Sequence, residues 1–589
     1  MGNASSQPSG ALVSPETGIG LYKACIRGDS PDKSLEWQPM GEHVRPQFYD
    51  INADASGSPI EWHLEFEGSV EYPDVVVGDG MQFQASELKC VFAAAEGSEW
   101  WALSFPDGVQ FAAFQQRYNG YLFRNRYQTD PNEENVKKEL GMYAGVGRSL
   151  GETEESQQQW VEDMDIDDPA PAAPDSGFRA RDRLVNRKAS SELTSLVLGE
   201  QQRSYVVGRE GIGVMRNTAH GLEDIDIELS FDSLRLVNTP QSARSTRARR
   251  SSLGATSGVS TPSTSASTPM TGCSKGILVE SETKMNLLSS AGGAATIFNT
   301  DLERGGVVRE LGFGDQTDIV DIVNEAKGTA GSYTTFLSIG PQSVDKWDTR
   351  VAEKGGLVQT MAAPTVMALE HDGGRSYKTK TKFSSIATTG KGYRAVGSRD
   401  GTIRLYSDQM SQVSKTNIPS LGAPIEHIDV THDGRWVLAT TKMFLIVLKT
   451  IYKDGSRELC GFTSRLGDRA PKPRLLTLTP EDRIRTDNAP FEKARFSWVG
   501  DESTKERYIA ATCGRYTVQW NFRAVKIAKP DVVTNGLTTV QKYALIPKSE
   551  EILDAAFMHN QNTLRSPNSL VVLTKQRVWN VDEEDEDDK

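Results

Sequence analysis

Apolar residues recur along this chain with two different periods. Between residues 34 and 128, the runs "HLEFEGSV", "DVVVGDGMQFQ", "ELKCVFAA" and "EWWALSFPDG" are short and bounded by turn residues, which predicts strands. The stretch "FAAFQQRYNGYLF" then places Phe111, Phe114, Tyr118, Tyr121 and Leu122 on one face at helical spacing. Alternation returns over 191–236 in "SLVLGEQQRSYVVGREGIGVMRN" and "IDIELSF", a β-segment expected to belong with the N-terminal half. From 276 to 581 one unit repeats in degenerate form: "GGAATIFNT", "GPQSVDKWDTR", "SRDGTIRLYSD", "TTKMFLIVLKT", "CGRYTVQWNF" and "TKQRVWNV". Each is a turn followed by alternating apolar residues. Most end on an aromatic before a small polar residue: Phe298-Asn299, Trp347-Asp348, Tyr406-Ser407, Trp520-Asn521 and Trp579-Asn580.

Strands closed by a single amphipathic helix predict a pleckstrin-homology-like domain over 34–128. The repeat predicts a β-propeller over 276–581, because a four-stranded blade buries both faces only when blades stack radially. "YRAVGSRDG" and "VTHDGRWVLATT" have the strand, Asp-Gly turn, strand form of a hairpin. Intervals of about 40 to 75 residues exceed the ~40–45 of WD repeats, so loops are inserted. Six units are counted and a seventh blade is expected, closed by strands from both ends. The fold class is therefore mainly β: a seven-bladed WD40-like propeller preceded by a pleckstrin-homology-like domain and disordered linkers. The aromatics Phe298, Trp347, Tyr406, Trp520 and Trp579 are expected in the core between blades.

Composition adds the linkers. Hydrophobic content is 37% over 589 residues, below the usual ~45–50%. Residues 1–33 are Ser/Gly/Pro-rich and expected to be disordered; 129–190 reads as an acidic linker, with Trp160 either a docking aromatic or unconstrained. Residues 237–275 form a Ser/Thr/Arg-rich linker, and 582–589 an acidic tail. A net charge of −13 argues against a broad basic face for nucleic acid. The cysteines Cys25, Cys90, Cys273, Cys460 and Cys513 are scattered, with neither a metal-ligand spacing nor a disulfide framework. No metal and no cofactor is expected. The longest aliphatic run, "MFLIVL", is too short to span a bilayer, and no secretory signal is expected.

Two modification motifs stand out. "MGNASS" fits M-G-x-x-x-[ST], which makes Gly2 a candidate for myristoylation. Myristate alone binds membranes with K on the order of 10⁴ M⁻¹, and Lys23, Arg27 and Lys33 are too few for a polybasic patch, so membrane contact would be transient. Arg244, Arg247, Arg249 and Arg250 precede Ser251 and Ser252, candidates for a basophilic kinase; Thr261 and Thr268 precede proline. Phosphate there adds about −1.5 to −2 charge beside those arginines. The same stretch reads equally as a solvated linker.

"RLYSDQMSQVSKTNIPSLGAPIEHIDVTHDGRWVLATT", "PRLLTLTPED", "ARFSWVGDE" and "QWNF" closely resemble the vacuolar import and degradation protein twenty-seven family of fungi and its plant relatives. "WALSFPDGVQFAAFQQRYNGYLFRNRY" is similar to that family's pleckstrin-homology-like segment, and "SYVVGREGIGVMRNTAHGLEDIDIELSF" to its β-segment before the propeller. The resemblance covers most of 90–581. It implies regulation through protein partners in the cytoplasm, and in plants the nucleus, with a fungal link to degradation of a gluconeogenic enzyme. It carries no catalytic residues.

No GxSxG, HExxH or GxxxxGK[ST] is present, and "GREGIG" has the wrong spacing and setting for a dinucleotide turn. The expectation is a non-catalytic interaction scaffold. Two other classes stay open: a propeller hydrolase with a channel site, and a lipid sensor in the N-terminal half. A convergent cluster of Asp, Glu or His at the channel mouth would favour the hydrolase. A bland channel with exposed aromatics on one rim would favour the scaffold. A basic pocket within 34–128 would favour the lipid sensor.

Overall fold

A computed structural model of the chain describes residues 18–27, 34–53, 58–67, 72–78, 80–94, 99–140, 154–161, 180–185, 191–218, 221–232, 235–236, 272–289, 295–311, 319–328, 333–351, 356–362, 382–409, 413–454, 457–466, 471–497, 506–558 and 569–583. Helices α1 (Gly108–Tyr127), α2 (Glu133–Leu140), α3 (Glu154–Val161), α4 (Pro480–Arg485) and α5 (Phe522–Ile527) stand among many strands.

The N-terminal unit is built on an antiparallel sheet in which Gly20–Arg27 lies between Ser34–Gly41 and Glu99–Ser104. Lys89–Ala94 and Gln82–Gln84 extend it. Arg45–Asp50, Trp62–Glu67 and Val75–Val76 form a second, smaller sheet. The strand Gly20–Arg27 corrects the expectation of disorder over 1–33. Leu21 is fully buried and pairs with Leu103, so two neighbouring strands order a segment whose flanks are polar. Helix α1 starts where Asp107 Oδ1 accepts from the Val109 and Gln110 main-chain N–H groups, an N-cap. It stops at Gln128, whose φ of 56° is left-handed. Its apolar face, Phe111, Phe114, Tyr118 and Leu122, packs on Leu21, Leu64, Phe83 and Leu103.

Seven antiparallel sets of four strands follow among the described residues; one is part of a larger sheet, another carries the parallel strand Arg235–Leu236 at its edge, and the pair Ile451–Asp454 and Arg457–Cys460 stands apart. Their first strands are Leu193–Val197, Cys273–Leu278, Asp321–Asn324, Phe383–Thr388, His427–Val430, Phe491–Phe496 and Ile552–Phe557. Each first strand touches the first strands of both neighbouring sheets, and the last touches the first, so the sheets close into a ring. Residues 193–230, expected with the N-terminal half, supply one whole sheet of that ring. The seventh sheet takes its outer strand from far upstream: Trp579 pairs with Leu184 and Val581 with Asp182. Asn580 then ties it to the first sheet, exchanging hydrogen bonds of 2.9 Å with the main chain of Leu222. Gly221 makes room for this contact. Its φ is +106°, and a Cβ there would come within 2.3 Å of Asn580.

Three elements sit inside 129–190 and correct its reading as an uninterrupted linker: α2, α3 and the closing strand Ala180–Leu184. Val136 of α2 joins a core with Phe123, Ile403 and Leu405. The N-terminal unit and the ring are also welded by main chain. A hairpin, Val532–Thr534 and Leu537–Val540, turns at Asn535 and Gly536 with φ of 55° and 76°, the left-handed pair that a type I′ turn requires. Its first strand pairs with Gln82–Gln84 and its second with Arg474–Leu476, so one sheet of 11 strands runs from the N-terminal unit into the ring.

Candidate functional site

The first strands converge on the ring axis, and at one end their opening residues line a cavity of about 430 Å³. Five of these strands carry a register shift near the same place: between Leu193 and Ser195, Cys273 and Lys275, Phe383 and Ser385, Phe491 and Ala494, and Ile552 and Asp554. A bulge of this kind re-aims the side chains beside it. Ser195, Lys275, Ser385, Lys493 and Asp554 all line the cavity, together with Asp321 and His427 from the start of the two remaining strands.

The charged groups at this mouth are matched. Lys275 Nζ meets Asp321 Oδ1 at 2.5 Å. Asp554, 2% exposed, receives Arg495 Nη2 at 3.0 Å and Lys493 Nζ at 3.3 Å. Glu426 takes both oxygens to Arg399 Nη1, at 2.9 and 3.1 Å. Further along the strand that begins at His427, Asp429 accepts from Lys327 Nζ and from the Phe496 main-chain N–H, each at 2.9 Å. Burial alone would raise the Asp554 carboxyl, but Arg495 and Lys493 hold it below the usual carboxylate range. Asp429 is likewise held low, by Lys327 against the effect of burial. His427 Nδ1 is buried without a hydrogen-bond partner. Burial, then the nearby charge of Arg495, pushes its pKa down to about 3, against opposing pulls from Asp429 and Asp321. Glu492, exposed at the rim, is pushed up by partial burial of its carboxyl and by Glu551 and Asp554.

Asp, Glu and His thus do converge at this mouth, which by composition is the hydrolase signature. Their chemistry is different. General-base work needs a group poised near the working pH. Here Asp321, Glu426 and Asp554 are ion-paired and the histidine stays neutral, while Glu492 at the rim, its carboxyl pushed up, is the group that comes nearest to that requirement. Among the described residues no three His, Cys, Asp or Glu side chains could share a metal ion. In the N-terminal unit Lys23 pairs with Glu99, Lys89 with Glu87 and Arg124 with Asp130.

The aromatics singled out in sequence lie between sheets. Phe298 packs with Val197 and Tyr205 of the preceding sheet, Trp347 with Ile277 and Leu288, Tyr406 with Leu337 and Val344, and Trp520 with Leu438 and Leu445. Trp579 is half-buried against Ala510 and Ile546. Gly2, Ser251, Ser252, Thr261 and Thr268 lie outside the described residues. Sequence reasoning missed Ser195, Lys275, Ser385, Lys493 and Asp554 because a register shift breaks the period-2 pattern beside them, and Asp321 and His427 because no spacing in the sequence ties them to these.

Comparison with known proteins gives one family model, described as the VID27 C-terminal WD40-like domain, over residues 254–579. Two curated proteins match, each called Vacuolar import and degradation protein 27. The one from Schizosaccharomyces pombe is 30% identical over 263 residues, 42% of this chain and 30% of its own length. The one from Saccharomyces cerevisiae is 29% identical over 237 residues, 39% of this chain and 28% of its own. The aligned part therefore spans about a third or less of those relatives. Among solved structures, the Myceliophteria thermophila Cps50 (Swd1) β-propeller domain aligns with a TM-score of 0.42 and 10% identity, covering 69% of this chain and all of that one.

Proposed function

The chain belongs to the family of the VID27 C-terminal WD40-like domain, and from that premise we propose that it is a non-catalytic scaffold whose channel mouth grips a protein partner. The seven sheets spanning 180–583 are read as the seven blades of one propeller, and the unit at 20–128 as a pleckstrin-homology-like buttress fixed to its side. The relatives carry vacuolar import and degradation in their name. Presentation of a cargo protein to such a route is the role assigned here.

The observation that carries this reading is the pairing of charge at the mouth. Lys275 with Asp321, and Lys493 and Arg495 with Asp554, make a surface of fixed alternating charge. Such a surface selects a partner by electrostatic complementarity, which governs specificity and association rate. Lys442 and Glu492, both exposed at the rim, are the groups left to meet that partner.

The test is quantitative affinity capture on the full chain from the cells that make it. The double variant Lys442→Glu, Glu492→Lys reverses both rim charges without touching the buried pairs. It should lose specific partners by at least ~10-fold, about 1.4 kcal/mol, while a control at exposed Val76 in the N-terminal unit keeps them. Equal capture by the rim variant, or turnover of a peptide, glycoside or phosphoester by the purified chain, would overturn the reading.

A further inference from the structure

Helix α4 stands between the N-terminal unit and the channel mouth, and its consecutive buried side chains Arg483 and Ile484 reach one each. Ile484 packs with Val91, Trp100 and Ala102 of the N-terminal sheet. Just before the helix, the Leu478 carbonyl accepts from Gln82 Nε2 at 3.5 Å and from Gln541 Nε2 at 3.3 Å, and Gln541 also donates to Gln82 Oε1 at 2.7 Å. Tyr543 fixes the start of the helix. Its hydroxyl accepts from the Thr479 main-chain N–H at 2.8 Å and donates to Asp482 Oδ2 at 2.7 Å.

Arg483 reaches the rim. It is 1% exposed. Its Nη2 donates to the Met443 carbonyl and its Nη1 to the Ala489 carbonyl at 3.3 Å, while the guanidinium lies 4.9 Å over the Phe491 ring. Burying a cation is unfavourable unless polar groups replace its water, and here the replacements are carbonyls of the two segments that form the rim. Those segments also meet directly, because the Phe491 main-chain N–H donates to the Lys442 carbonyl at 2.9 Å. Lys442 precedes the first clamped carbonyl, and Glu492 follows the second.

The turn that joins α4 to the rim is strained. Asp487 and Asn488 are consecutive residues with φ of 53° and 56°, whereas Asp and Asn visit the left-handed region as single residues. Asn488 Oδ1 is buried without a hydrogen-bond partner. Such conformations persist where the surroundings over-determine them, and they cluster at clamps and switch regions. We propose that α4 is a lever: the N-terminal unit seats it through Ile484, and Arg483, as the positioning residue, holds the rim in place across the Asp487–Asn488 turn. The N-terminal unit thereby sets the stiffness of a mouth whose lining it does not supply among the described residues. The physical warrant is a contiguous chain of packed and hydrogen-bonded groups. That the rim meets a partner rests on the function proposed above; the positioning of the rim does not.

The experiment is hydrogen–deuterium exchange of the free full chain, read at the Phe491 amide, whose bond to Lys442 reports rim opening. Arg483→Met keeps the stem and removes both donors, so Phe491 should exchange at least ~10-fold faster. Arg483→Lys keeps the charge without the fork and should fall between the two. Ile484→Ala removes only the contact with the N-terminal sheet, yet Phe491 exchange should still rise several-fold. Leu337→Ala, fully buried in the third sheet, lowers global stability away from α4 and should leave Phe491 as in wild type. Ile484→Ala that frees only residues 89–104, with Phe491 unchanged, overturns the lever; so does equal loosening by Leu337→Ala. Should Arg483→Met not fold, Arg483→Lys and Ile484→Ala carry the test. Partner capture then separates the two readings: a rim loosened by Ile484→Ala with capture unchanged supports the lever and counts against the mouth as the binding face.

Discussion

Acid should unfold this ring partly through one histidine. His427 is neutral in the folded chain, with its pKa pushed down to about 3 by burial and by Arg495. In the unfolded chain it returns to about 6.5. The folded pKa is depressed, and for a histidine this means that the unfolded state binds the proton more readily. Stability is therefore fully present above about pH 6.5 and falls as pH drops toward 3. At pH 5 the unfolded ring gains roughly 1.5 pH units of protonation free energy, about 2 kcal/mol. For a cooperative unit of roughly 300 residues that is about 3 °C in melting temperature. His427→Gln keeps a polar side chain of similar size and removes the titration. The assay is differential scanning of wild type and His427→Gln at pH 7.5 and pH 5.0. Comparing the two proteins cancels other groups, including Glu506, whose pKa is raised by burial to about 7 and which therefore acts in the opposite sense. Wild type should lose about 3 °C more than the variant. An identical loss in both would refute the claim that His427 is sealed and neutral at the channel mouth.

Trp347 stacks on Phe336 at 6.1 Å and donates to Ser338 Oγ at 2.8 Å; Trp347→Ala should cost about 3–5 kcal/mol in urea denaturation, and a cost under half the same change at half-buried Trp579 would contradict its place in the core. Val533 pairs with Phe83 on one side and Thr538 on the other. Val533→Pro removes a main-chain donor from this ladder and should let hydrogen exchange rise at Gln82–Gln84 while the first strands of the ring stay protected; unchanged exchange at Gln82–Gln84 would mean that the weld is unimportant.

The ring was legible where local chemistry punctuates it. In "SRDGTIRLYS", Asp400 Oδ1 accepts from the Thr402 main-chain N–H and Gly401 has φ of +83°, so the turn is written in the residues themselves. The same holds for Asp433 and Gly434, and for α1, whose apolar stripe and Asp107 cap are contiguous. What stayed hidden depends on distant partners. "ARDRL" reads as polar linker, yet Ala180–Leu184 is a strand because Val578–Glu583 offers it an open edge, and Lys548 Nζ meets Asp182 Oδ1 at 2.6 Å. Trp160 is anchored by Trp436 and Arg474, far along the chain. Lys275, Asp321, His427, Arg495 and Asp554 come from different sheets, and no spacing in the sequence marks them as neighbours. Here tertiary closure, not local propensity, decides both structure and site.

The most direct measurement is hydrogen–deuterium exchange of the full chain, alone and in complex with a partner whose capture depends on Lys442 and Glu492. Protection gained at 274–275, 426–427, 442 and 490–495 is the expected result, because those segments line the mouth together. Protection confined to the N-terminal unit or to the outer strands of the sheets, with the mouth unchanged, would contradict the assignment of the channel mouth as the binding face.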